Sequence, residues 1–126
     1  MIIRQRQEQV VITGEVVHGK KLGRTIGFPT ANIEAVHSYM PGVYSAYVYR
    51  AGVQHKAVMN IGTRPTIADG SHETIEVHLL DFAGDLYGEQ LDVEVVEFLR
   101  SEQKFDGLDA LLHQLQRDAF LARKHL

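Results

Sequence analysis

The densest chemistry in this chain lies in Gly14–Asn32, which reads GEVVHGKKLGRTIGFPTAN. Four glycines, at 14, 19, 23 and 27, are interleaved with Lys20, Lys21 and Arg24. Glycines let backbone N–H groups approach an anion closely, and the cations neutralise it, so the segment is a candidate phosphate cradle. It is not a Walker A loop, because G-x-x-x-x-G-K-[ST] does not occur. By itself it is better described as a basic surface hairpin loop, a common feature. Thr30 and Asn32 follow directly, and two-residue spacing puts both side chains on one face of an extended segment. A hydroxyl and an amide carbonyl are hard oxygen ligands, suited to a Mg²⁺ that keeps waters and phosphate oxygens in its other positions. The simpler alternative for the pair is a turn or cap. Glu76 sits between Ile75 and Val77, on the strand face it shares with Thr74 and His78. An exposed strand carboxylate is the ordinary reading; at a barrel mouth it would instead serve as general base for a hydroxyl nucleophile.

These groups need elements to hold them, and most of the chain reads as short strands. Val10–Val17 is β-branched, and Val43–Tyr49 is aromatic and β-branched after the Pro41-Gly42 break. Val53–Ile61 and Thr74–Leu80 alternate apolar and polar residues. Leu91–Phe98 starts with Leu91, Val93 and Val95 in phase, then hands over to Val96 and Phe98, which predicts a bulge or barrel corner. The C-terminal stretch differs. Leu108, Leu111, Leu112, Leu115, Ala119, Ala122 and Leu126 fall at helical spacing, with Asp106 as the expected N-cap, Asp109 three positions on, and Arg123, Lys124 and His125 in the last turn. Several strands, one terminal helix and no βαβ alternation predict a closed antiparallel barrel.

Composition narrows the function. The 126 residues suit one domain, with 44% hydrophobic residues for a core and 23% charged. A net charge of −3 argues against a general nucleic-acid binder. No cysteine is present, which excludes thiolate catalysis, and the seven histidines show no zinc spacing. No stretch approaches a membrane span or a signal peptide, so a cytoplasmic location is expected. Residues 1–9 read as a polar segment or linker remnant, and 10–126 as the domain.

The motifs then become recognisable together. Gly14-x-Val16-Val17-x-Gly19 and Gly23-Arg24-x-x-Gly27-Phe28-Pro29-Thr30-Ala31-Asn32 resemble the signature of the riboflavin kinase family, which includes the C-terminal module of bifunctional bacterial FAD synthetases. The resemblance continues through Pro41–Tyr44, Asn60–Thr66, Ile75–Phe82, Asp85–Gly88, Leu99-Arg100 and Lys104–Leu108. It implies a six-stranded antiparallel Greek-key β-barrel with the helix packed outside. It also implies transfer of the ATP γ-phosphate to the 5′-hydroxyl of riboflavin, giving FMN. The loop with Gly19, Lys21, Gly23 and Arg24 would cover the ATP phosphates together with Thr30. Thr30 and Asn32 would bind Mg²⁺, Glu76 would be the base, and Arg100 with the loop after it would lie near the flavin. The flat ring is expected in an apolar slot between barrel and helix. An H-x-G-H-type adenylyltransferase motif is absent from the sequence, so FMN is the expected end product, with fusion to such a module in a full-length protein as one expectation. The competing reading is a catalytically silent flavin- or nucleotide-binding regulatory domain of the same fold.

Overall fold

A computed structural model describes residues 11–17, 30–35, 39–66, 70–82, 84–103 and 105–126. Six strands come in chain order: β1 (Val11–Val17), β2 (Ala31–Glu34), β3 (Gly42–Arg50), β4 (Val53–Thr66), β5 (Gly70–Leu79) and β6 (Gln90–Arg100). One helix follows, α1 (Leu108–His125). All pairings are antiparallel, and the strands close into a barrel in the order β1-β2-β5-β4-β3-β6. Strands β3, β4 and β5 are successive neighbours and β6 returns beside β3, which is a Greek key. The mainly β fold with a C-terminal helix is the one the sequence predicts.

Alternation fills the barrel. Ile33 from β2, Ile75 and Val77 from β5, Met59 and Ile61 from β4, and Tyr44, Ala46 and Val48 from β3 point inward, with Leu91 and Val93 of β6 completing the core. The intervening residues face outward. There α1 covers part of β3 and β4, where Val43, Val58 and Leu80 meet Ala119 and Ala122 in a second, smaller cluster.

The phase change in β6 is real, and it comes as two bulges. Tyr44 pairs with Phe98 and Val43 with Arg100, so Leu99 is extra; Ser45 pairs with Glu97 and Ala46 with Val95, so Val96 is extra. Glycine is required at 42, where φ is +151° and a Cβ would meet the Phe98 ring at 2.5 Å.

The helix start differs from the sequence expectation. Gly107, not Asp106, is the N-cap; its backbone is extended and no side chain caps the helix. The apolar stripe is also only partly used, with Leu108 48% exposed and Ala119 and Ala122 buried. Besides these alanines, Leu126 and several polar contacts hold the helix, and the most buried of them is an ion pair. Arg100 Nε and Nη2 donate to the two carboxylate oxygens of Asp118 at 2.9 and 2.8 Å, and Gln114 Nε2 adds a third bond at 2.9 Å. The Asp118 side chain is 2% exposed. The bidentate geometry and added amide donor offset part of its desolvation. Removing one partner leaves the other charge buried and unpaired. Asp118→Ala is therefore expected to lower the unfolding free energy by about 3 kcal/mol, measured by urea denaturation.

Candidate active site

The register brings the chemistry together. Asn32 of β2 and Asn60 of β4 both pair directly with Glu76 of β5, one from each side. Residues directly opposite in an antiparallel pair put their Cβ atoms about 4.5–5.5 Å apart on the same face. The inward faces of these strands carry Ala31 and Ile33, Ile75 and Val77, and Met59 and Ile61, so Asn32, Glu76 and Asn60 share the outer face. All three are half-buried. Glu76 thus lies on the outer wall of the barrel rather than at its mouth. Asn60 was assigned no role from its sequence; its place beside Glu76 becomes visible only once β4 and β5 are paired.

Asn60 carries a second sign. Its Oδ1 is buried with no hydrogen-bond partner among the described residues. A buried amide oxygen left unsatisfied normally costs about 1–3 kcal/mol, and such orphans concentrate where a ligand or ion completes the site. Hard oxygens from Asn32 and Asn60 beside a carboxylate form a donor set that suits a divalent cation sharing its shell with phosphates and water. Among the described residues, no group of three or more His, Cys, Asp or Glu could cage a metal.

Thr30 immediately precedes the paired segment of β2, on the same face as Asn32 and toward the His78 end of β5, because Ala31 pairs with Val77. Beyond that end, an open cleft of about 390 Å³ runs between β5 and α1, lined by His78, Asp81, Phe82, Gln116, Ala119 and Arg123. Arg123 Nη2 bonds Asp81 Oδ1 at 2.7 Å, and this bond holds the Asp81 carboxyl below the usual carboxylate range. Phe82 is braced by His55, at 5.4 Å edge to face, and by the Arg50 guanidinium 5.1 Å above its ring.

Arg100 stands in the same transverse row, opposite Val43, which itself pairs with Asn60. It is three strand spacings from Glu76, roughly 14 Å along the sheet. Its guanidinium is turned to Asp118, and Nη1 donates to its neighbour Ser101 O at 3.1 Å. Gly19, Lys21, Gly23 and Arg24 lie outside the described residues, as do residues 1–10.

The riboflavin kinase family model matches residues 6–126. The chain belongs to the riboflavin kinase family. Over 116 residues, 90% of this chain, it is 49% identical to the bifunctional riboflavin kinase/FMN adenylyltransferase of Escherichia coli, and spans 37% of that protein. A riboflavin kinase structure from Trypanosoma brucei superposes with a TM-score of 0.64 at 26% identity, covering 92% of this chain and 78% of that one. A Streptococcus pneumoniae structure described as a macrolide-efflux protein gives a TM-score of 0.84 at 37% identity, covering 91% of this chain and 38% of the other. The chain therefore corresponds to a little over a third of the bifunctional relatives. No helix among the described residues is long and apolar enough to cross a membrane.

Because the Asn60 amide oxygen is buried without a partner among the described residues, replacing it is expected to relieve the fold. Asn60→Val is expected to raise the unfolding free energy by about 1 kcal/mol, read by thermal or urea unfolding, and to lower activity.

Proposed function

We propose that this chain is a riboflavin kinase that moves the ATP γ-phosphate to the riboflavin 5′-hydroxyl, with Glu76 as the base. The observation that carries the reading is the outer-face row, in which Glu76 is flanked through direct strand pairing by Asn32 and Asn60. Strand β5 then acts as a ruler with the base near its middle. ATP approaches from the His78 end, because Thr30 stands at that end of β2 and in sequence directly follows the stretch with Gly19, Lys21, Gly23 and Arg24. The open cleft beside His78, Phe82 and Gln116 suits the nucleoside. Riboflavin approaches from the Thr74 end, under the segment that follows Arg100. This moves the flat ring from a slot against the body of α1 to the loop leading into it. Arg100 serves the flavin by fixing that loop through Asp118 and Ser101.

Phosphoryl transfer asks the protein mainly for positioning and charge stabilisation. The Glu76 carboxylate accepts the proton of the 5′-hydroxyl as its oxygen bonds the γ-phosphorus and the bond to ADP breaks. A positioned base of this kind contributes about 10²–10⁴-fold. Thr30 and Asn32, with Asn60 alongside, would hold a Mg²⁺, which when bound neutralises phosphate charge. Amides of the glycine-rich loop, with Lys21 and Arg24, hold the same phosphate oxygens.

The direct test is incubation with riboflavin and MgATP, with chromatographic separation of flavins. FMN accumulates, chelation of the divalent metal stops it, and no FAD or pyrophosphate appears at long times with excess ATP, because one phosphate-cradling segment serves one transfer. Absence of FMN would overturn the assignment of activity, and FAD from a preparation free of host enzymes would overturn its restriction to one step. Glu76→Gln conserves shape and cannot take a proton. Its turnover is expected to fall at least a hundredfold with riboflavin affinity and melting temperature nearly unchanged.

A further inference from the structure

The row next to Glu76 is occupied in an unusual way. Gly62 of β4 pairs with Thr74 of β5, two residues along from the Asn60–Glu76 pair on both strands, and hence on the same outer face. A Cβ built on Gly62 would lie 3.1 Å from Glu102 Oε2 and 3.3 Å from Thr74 Oγ1. The carboxylate of Glu102 is therefore laid over the backbone of β4 beside the threonine hydroxyl. It arrives there from the segment after β6, whose start is fixed by the Arg100–Asp118 pair. Two residues along a strand are about 6.6 Å. From Glu76 outward, then, the face offers a carboxylate and the Asn60 amide, and one step on a hydroxyl and a second carboxylate. Regularly spaced acceptors along a line suit an extended chain bearing a hydroxyl on each carbon. They do not suit a flat apolar ring.

We propose that Glu102, with Thr74, reads the secondary hydroxyls of the acceptor's polyol tail and so sets which flavin tails this enzyme phosphorylates. Gly62 leaves the space above β4 that the Glu102 carboxylate fills. The inference rests on the riboflavin kinase reading, since it takes the primary hydroxyl of the same tail to be at Glu76. Glu102 is a specificity determinant and takes no proton in the reaction.

Riboflavin binding without ATP, followed by flavin fluorescence, tests this independently of turnover. Glu102→Ala is expected to weaken binding about tenfold, the loss typical of a hydrogen bond to a charged group at an accessible site, while the KM for ATP stays unchanged. Glu102→Gln, which keeps one acceptor, falls between the two. Gly62→Ala, whose methyl group would press on the carboxylate from 3.1 Å, is expected to weaken binding in the same direction and by less than Glu102→Ala does. The decisive comparison uses flavins lacking the 2′-, 3′- or 4′-hydroxyl. One of them should bind the parent about tenfold more weakly than riboflavin does and show no further loss in Glu102→Ala, as a double-mutant cycle requires of a direct contact. If the parent binds riboflavin and Glu102→Ala binds riboflavin and every deoxy analogue in the parent's ratios, this inference falls and the kinase reading stands. If the parent binds no riboflavin, both fall.

Discussion

The two-residue alternation of a closed barrel is the constraint on which everything else here rests. Among the described residues, the interior of this barrel is filled by apolar side chains and the Tyr44 ring, supplied by every second position: Ala31 and Ile33, Ile75 and Val77, Met59 and Ile61. The positions between them are thereby driven outward, and their neighbours across the sheet are fixed by hydrogen-bond register. Asn32, Glu76 and Asn60 meet because the apolar residues around them must meet on the other side of the same strands. Hydrophobic burial, which knows nothing of phosphate, aligns the polar row.

A polar row on an outer wall is open to water unless something lies over it, and on the β3–β4 side the neighbouring cover is α1. The helix and the segment before it are tied down by Arg100 and Asp118. Two small side chains, Ala119 and Ala122, let α1 sit close on Val43 and Val58. The apolar contact of α1, through these alanines and Leu126, is small, and the bidentate Arg100–Asp118 pair adds a directional contact to it. The half-exposed Leu108 shows where that docking ends.

The fold was legible in the sequence because period and phase survive in it. Strand alternation in Thr74–Leu80, the slip after Val95 and the helical spacing from Leu108 onward each have a local cause, and the structure repeats them. The helix start was misread because Asp106 is a good cap by residue type. The extended backbone at Gly107 brings the chain into the helix one residue later, without a side-chain cap. Glu76 and Asn32 could be named from the motif in which they occur. Their partnership with Asn60 could not, since pairing of β4 with β5 is a relation between distant residues. Asp118 did leave a mark, as a carboxylate set between Leu115 and Ala119 on the apolar stripe. Its partner, eighteen positions away, did not.

The two bulges of β6 have a consequence for how this chain can vary. Residues 94, 97 and 100 stand opposite Tyr47, Ser45 and Val43, all on the outer side, so the strand presents its outward face at every third position instead of every second. Each bulge reverses the phase and the second restores what the first has changed. Deleting an extra residue, Val96 or Leu99, would remove its bulge and leave Arg100 opposite Val43 on the outer side, still facing Asp118. Register with β3, more than length, is what this strand has to conserve.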